Sequence, residues 1–143
     1  MAADPRARAA AGQHRLMVVD DSNVIRRRIE RANDLPEIKF VGAARNGVEA
    51  LAMHAELRPT LVTMDLTMPE MDGSECVAQL VARDPSILIL VISALADKLT
   101  AIEALERGAS GFLCKPFTDQ QLNDALRKLI YGGAGGATAG AAR

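Results

Sequence analysis

Five short apolar runs alternate along the chain with five stretches in which apolar residues recur every three or four positions. The runs are LMVV at 16–19, IKFVGA at 38–43, LVTM at 61–64, ILILVI at 87–92 and GFLC at 111–114. Apolar runs this short, bounded by turn signals, fit strands buried on both faces, the run at 38–43 showing partial alternation, whereas a 3.6-residue period marks a helix with one buried face. After the first strand Ser22 is placed to cap a helix carrying Val24, Ile25, Ile29 and Ala32 on one face, with Arg26, Arg27, Arg28 and Arg31 around the rest. The segment 34–37, with Pro36, breaks that helix before the second strand. A second helix, 47–58, is expected to bury Val48, Leu51, Ala52 and Ala55 and to end at Pro59. A third, about 74–83, carries Cys76, Val77, Leu80 and Val81 and is closed by Asp84 and Pro85. A fourth, about 96–107, stops at Gly108, which suits a left-handed terminator. The last, about 118–130, has Thr118 as its cap and Leu122, Ala125, Leu126 and Leu129 at helical spacing.

Strict alternation of buried strands with helices implies a parallel sheet covered on both sides. The predicted fold class is therefore α/β, a single doubly wound sheet of five parallel strands with five helices. Residues 1–14 mix Ala with Asp4, Pro5, Arg6 and Arg8 and lack the apolar stretch of a secretory signal, so they are expected to form a disordered extension. The tail GGAGGATAGAAR at 132–143 has no apolar periodicity and is expected to be a flexible coil, which leaves 15–131 as the folded domain.

Composition narrows this picture. A chain of 143 residues fits one domain able to bury about 70% of its unfolded surface. Apolar residues make up 49% and aromatics only 3%, so the core must be aliphatic. A net charge of −1 gives no general pull toward nucleic acid or an anionic membrane, and no apolar run is long enough to span a bilayer. Cys76 and Cys114 stand at no metal-ligand spacing in apolar surroundings, as free buried thiols of a reducing compartment would.

The candidate chemistry collects at one edge. In a parallel sheet the residues just after each strand share a rim, which is where open α/β folds place ligands. That rim receives Asp20 and Asp21 from the first strand, Asp65 from the third, Ser93 from the fourth and Lys115 from the fifth. Two unit charges about 4 Å apart at an effective dielectric of about 20 repel by about 4 kcal/mol, so the acids must take up a proton or bind a cation. An all-oxygen donor set suits a hard divalent ion such as Mg²⁺, which prefers one or two carboxylates together with phosphate. Lys115 offers a point charge for phosphoryl oxygens, and Ser93, expected at the start of the fourth helix, offers a hydroxyl beside free N–H groups. Asp65, alone on the central strand, is the candidate nucleophile for a phosphoryl group. His14 and His54 have no motif context, and Gly42, Gly47 and Gly73 do not form a phosphate-binding glycine loop.

VVDDS at 18–22, MDLTMPEMDG at 64–73, VISA at 91–94 and KPF at 115–117, in this order and spacing, resemble the receiver domain of two-component response regulators, the CheY-like family, with its flavodoxin-like fold. The resemblance implies that Asp65 takes a phosphoryl group from the phosphohistidine of a sensor histidine kinase or phosphotransfer protein. It implies further that Asp21, Asp65 and the Thr67 carbonyl hold Mg²⁺ (or Mn²⁺) directly, that Asp20 acts mainly through water, and that Ser93 and Lys115 grip the phosphoryl group. A cis peptide before Pro116 belongs to the same pattern. For output, Ser93 is expected to move toward the phosphate and the Phe112 ring to rotate into the vacated space. That shift between two pre-existing packings would remake the face of the fourth helix, fifth strand and fifth helix for a downstream effector. A cytoplasmic signalling protein, not an enzyme acting on a separate substrate, is the expectation.

Departures from the pattern matter. Phe112 has no hydroxyl where many family members have Tyr, and Ser93 replaces the more frequent Thr. Thr67 and Leu95 occupy positions that influence water attack on the acyl phosphate, and because Leu95 cannot orient a water, slow self-dephosphorylation is expected. The Arg26, Arg27, Arg28 cluster fits either a docking face for the phosphodonor or a solvated helix face. Met68 and Met71 are expected to pack the loop, and Phe117 to be core. With no helix-turn-helix or catalytic segment following, a stand-alone chemotaxis or phosphorelay regulator is expected. DSNVIRRRI and VGAARNGVEAL also resemble receivers attached to chemotaxis methylesterases, so the receiver half of a larger regulator, methylesterase or transcription factor, is the alternative. A small aspartyl-phosphate hydrolase is disfavoured because Thr67, not an acid, stands two residues past Asp65, and flavin binding because no hydroxyl-rich phosphate loop follows the first strand.

Overall fold

The computed structural model describes residues 13–68, 73–94 and 97–132. The elements run β1 (His14–Val19), α1 (Asn23–Ala32), β2 (Ile38–Ala44), α2 (Gly47–Leu57), β3 (Leu61–Asp65), α3 (Gly73–Arg83), β4 (Leu88–Ala94), α4 (Lys98–Glu106), β5 (Gly111–Lys115) and α5 (Asp119–Gly132). All pairings are parallel and the strand order is β2-β1-β3-β4-β5. The chain steps from β1 outward to β2, then returns to the other side of β1 for β3, so the order reverses between β1 and β3. That reversal opens a crevice at their C-terminal ends, and it is where Asp20, Asp21 and Asp65 fall.

Period-two alternation divides the sheet's side chains between two cores. Met17, Val19, Val62, Met64, Ile89 and Val91 pack with Ala50, Leu51, Cys76, Val77, Leu80, Ala101 and Ala104 of α2, α3 and α4. Leu16, Val18, Leu61, Leu90, Ile92 and Leu113 pack with Ile29 of α1 and with Leu122, Ala125, Leu126 and Leu129 of α5. The core is aliphatic, as its composition requires. Helix starts are fixed by side chains: Ser22 Oγ accepts from Ile25 N at 3.2 Å and Asn46 Oδ1 from Glu49 N at 2.8 Å. Thr118 and Gln121 form a reciprocal capping box, with Thr118 Oγ1 accepting at 3.0 Å and Gln121 Oε1 at 2.8 Å. Gly108 follows α4 at φ 118°, the left-handed turn expected of it.

The structure corrects several expectations. His14 is the first residue of β1 and fully buried, so the strand begins inside the segment expected to be an extension; residues 1–12 and the tail 133–143 lie outside the described residues. In α2 the buried residues are Gly47, Ala50 and Leu51, while Val48 is 55% exposed and Ala52 and Ala55 also face solvent. Apolar residues surround this helix, and the side chosen is the one whose small residues permit close packing: Cys76 Sγ of α3 sits 3.7 Å from the Gly47 carbonyl. On α1 Ile29 alone is fully buried, and Val24 is 72% exposed. Cys114 is only half-buried, unlike the buried Cys76. Met68 and Phe117 are buried as expected, and Met71 lies outside the described residues.

Gly73, the first residue of α3, is packed against the end of β3. A Cβ placed there would lie 2.6 Å from the Asp65 carbonyl oxygen and 2.7 Å from Leu66 Cα. Both neighbours are backbone and cannot swing aside. Gly73→Ala is therefore expected to destabilise the fold by about 1–3 kcal/mol, as overpacking does, read as a lower urea midpoint at unchanged slope.

Candidate functional site

Asp65 ends β3, the central strand, and its side chain is 2% exposed. Its Oδ1 accepts from Thr67 N and from Thr67 Oγ1, both at 3.1 Å, and from Lys115 Nζ at 3.4 Å. Asp20, 1% exposed, makes the same short turn after β1, with its Oδ1 accepting from Ser22 N at 2.8 Å. Each strand-ending acid thus holds the N–H two residues on, which fixes the loop that leaves the sheet. Carboxylate oxygens of Asp20, Asp21 and Asp65 lie within 4.8 Å of one another, with Asp21 exposed. Lys115 enters from the end of β5 with 29% of its side chain exposed, and its peptide to Pro116 is cis, as the motif implied.

The electrostatics are unfavourable for an empty crevice. Burial, then the neighbouring Asp65 and Asp21 charges, push the Asp20 carboxyl up to about 6, against the Ser22 N–H and Lys115, which act the other way. Among the described residues, Asp20 Oδ2 is buried with no hydrogen-bond partner. A buried orphan oxygen beside two further carboxylates, with no nitrogen or sulfur donor in the group, fits a hard, oxygen-preferring divalent ion.

Ser93 lies in β4, one residue beyond Ile92, the register partner of Asp65. It is buried, and its Oγ donates to the Ala94 carbonyl at 3.4 Å. The expectation that it sits at a helix start is wrong: β4 runs through Ala94 and α4 begins at Lys98. Phe112 pairs with Val91 across β4 and β5 and packs, half-buried, against the core on the α2–α4 side. By alternation Ser93 shares that side with Val91, so Ser93 and Phe112 are neighbours on one face of the sheet. Leu95 lies outside the described residues. The sequence reading missed that the Thr67 hydroxyl bonds Asp65, although a threonine two residues past a strand-ending acid is the signal for it. It also missed Arg26, whose guanidinium donates to the Asp20 carbonyl at 2.7 Å.

The structure thus combines a five-stranded parallel sheet with an acid crevice at its switch point and a lysine across from the central acid. The chain belongs to the response regulator receiver domain family, whose model matches residues 16–127. It is 38% identical over 114 residues to the chemotaxis protein CheY of Listeria monocytogenes, a match covering 80% of this chain and 96% of that protein. It is also 42% identical over 118 residues to a protein-glutamate methylesterase/protein-glutamine glutaminase of Shewanella denitrificans, covering 80% of this chain but only 30% of that one. Among solved structures, the response regulator domain of Thermotoga maritima CheB superposes with a TM-score of 0.74 at 32% identity, covering 86% of this chain and 97% of that one. The fold and the family expected from the motifs are therefore correct.

The Asp20 shift has a direction that stability can read. Its folded value, about 6, lies above the ordinary value of 3.8, so between these values the native state holds more of the proton than the unfolded chain does. Asp20's contribution to stability is therefore fully present below the lower value and is lost, by about 3 kcal/mol, as pH rises through about 6. In chelator, urea unfolding of the wild type is expected to show that fall relative to Asp20→Asn, which lacks the titration and is the more stable of the two at pH 7.

Proposed function

We propose that the protein is the phosphoryl acceptor of a two-component pathway, with Asp65 as the residue modified. The observation that carries this reading is the buried Asp65 carboxylate, 3.4 Å from the Lys115 ammonium and clustered with two further acids at the sheet's switch point. Thr67 N, Thr67 Oγ1 and Lys115 fix the carboxylate's orientation, so little reorganisation precedes attack. A carboxylate oxygen of Asp65 attacks the phosphorus of a phosphohistidine, the P–N bond breaks, and the imidazole of a sensor histidine kinase or phosphotransfer protein leaves with the electron pair. Lys115 and the Ser93 hydroxyl neutralise and bind the transferred oxygens. Asp21, Asp65 and the Thr67 carbonyl, with Asp20 acting through water, would hold a Mg²⁺ or Mn²⁺ ion. When bound, that ion supplies positive charge to the phosphoryl oxygens and relieves the repulsion among the acids.

For output, movement of Ser93 toward the phosphoryl group and inward rotation of Phe112 would reshape α4, β5 and α5. On α4, Leu99 is 82% and Ile102 43% exposed, an apolar surface available to an effector protein. The protein is a signalling switch that at most catalyses its own phosphorylation and dephosphorylation, and it works in the cytoplasm without binding nucleic acid or membrane. Among the described residues no helix is long and apolar enough to cross a membrane. A single receiver domain of this kind accommodates a stand-alone chemotaxis or phosphorelay regulator. The match to 30% of a methylesterase favours a second reading, in which this domain is the receiver part of a larger regulator.

Acetyl phosphate with Mg²⁺ is expected to add one phosphoryl group by intact mass, and Asp65→Asn to abolish it; a modified Asp65→Asn protein would overturn the assignment. The ion has its own readout. At one hundred times its Kd, Mg²⁺ should stabilise the wild type by about 2.7 kcal/mol, and Asp21→Asn should lose most of that gain in urea unfolding.

A further inference from the structure

Helix α1 carries three consecutive arginines, and two of them donate to backbone carbonyls of the segments that leave the ends of β1 and β5. Arg26 donates to the Asp20 carbonyl at 2.7 Å and to Asn23 Oδ1 at 3.1 Å, on the acid side. Arg28 turns to the lysine side: its Nη2 donates to the Phe117 carbonyl, and its Cζ lies 4.5 Å from the centroid of the Phe117 ring. Its Nε is also 3.5 Å from Asp119 Oδ1. Arg27 is left exposed.

Phe117 lies two residues beyond Lys115, with its ring 4% exposed in the α1–α5 core. β5 is an edge strand, paired with β4 alone, so nothing in the sheet supports its outer side. Among the described residues, Arg28 is the side chain from outside β5 and α5 that hydrogen-bonds or ion-pairs with the segment 116–119. A guanidinium suits this task. It is planar, so it can face an aromatic ring while its N–H groups reach a carbonyl and a carboxylate.

We propose that Arg28 is a positioning residue for phosphoryl transfer: by tying the chain just beyond Lys115 to α1, it sets the reach of the Lys115 ammonium to Asp65 and to the incoming phosphoryl oxygens. This rests on the reading of Asp65 as the acceptor. A purely structural arginine, joining α1 to α5, would affect stability without moving Lys115.

The test separates the two. The ¹Hε–¹³Cε NMR signal of Lys115, assigned by its loss in Lys115→Ala, should move toward the position of a free lysine in Arg28→Met. It should move less in Arg28→Gln, which keeps one donor for the Phe117 carbonyl, and stay in place in Arg27→Met. Should Arg28→Met fail to fold, Arg28→Gln carries the comparison. With acetyl phosphate and Mg²⁺, Arg28→Met should slow Asp65 phosphorylation at least about tenfold, since misplacing a reacting group by ~1 Å can cost ~100-fold. Mg²⁺ affinity should be unchanged, and Arg28→Met should cause no further loss in a Lys115→Ala background. An unmoved Lys115 signal, or an equal loss of rate without Lys115, would overturn the proposal. A wild type that takes no phosphoryl group, yet whose Lys115 signal moves in Arg28→Met, would overturn the acceptor reading while leaving the placement of Lys115 by Arg28 intact.

Discussion

Three carboxylates and one ammonium share the crevice where the sheet reverses its order, and the imbalance between them governs what the site can do. Asp20 and Asp65 are almost fully buried, so water screens them poorly, and among the described residues Asp65 is the one carboxylate that Lys115 meets directly. Backbone N–H groups at Ser22 and Thr67 supply partial positive charge but cannot neutralise whole charges. The surplus negative charge appears as the raised Asp20 carboxyl and its orphaned Oδ2. Such a cluster, kept where apolar residues could have stood, suits a cation, and under the proposed reading an anionic phosphoryl group would be tolerable there only in the company of that cation and of Lys115. The aliphatic layers on both faces of the sheet matter because they fix the strand ends rigidly enough for this crowding to persist.

Much of this was legible in the order of residues. Uniformly apolar runs such as 87–92 allow no solvent-facing side, so they had to be interior strands, and once the strands are parallel their ends share one rim. Asp20, Asp65 and Lys115 sit where that logic puts them, and the caps Ser22 and Thr118 act as their chemistry predicts. What failed was orientation within weakly patterned helices. In α2 Ala and Val recur on several sides, so hydrophobicity alone could not choose among them. Packing chose the side with Gly47 and Ala50, because small residues let the helix approach its neighbours, and left Val48 outside.

The arginines of α1 show a different limit. By charge they belong on a solvated surface, and by position they flank the crevice, so two readings were open. The structure resolves Arg26 and Arg28 as donors to backbone carbonyls, roles that depend on loops from the ends of β1 and β5 lying beside the same helix. Acceptors of that kind leave no trace in residue identity, since every residue has a carbonyl. Arg28 and Phe117 are far apart in the chain, and only the α1–α5 packing on one side of the sheet brings them together.

The weakest part of the scaffold lies on the opposite side, which bears on how the proposed switch could propagate. Ser93 and Phe112 share the face that packs against α2, α3 and α4, and of these helices α4 is held least firmly. It buries only Ala101 and Ala104, exposes Leu99, and begins after Asp97, whose side chain makes no capping hydrogen bond among the described residues. Reversing a population from 1:99 to 99:1 requires about 5.5 kcal/mol of differential stabilisation, which a single phosphoryl group must supply through its contacts with Ser93 and Lys115. The smaller the packing energy lost when α4 shifts, the larger the share of those contacts left to bias the equilibrium. Under that proposal α5, which buries Leu122, Ala125, Leu126 and Leu129 on the other side of the sheet, would keep its packing during such a change, so the two cores of one sheet would serve the chemical site and the output face separately.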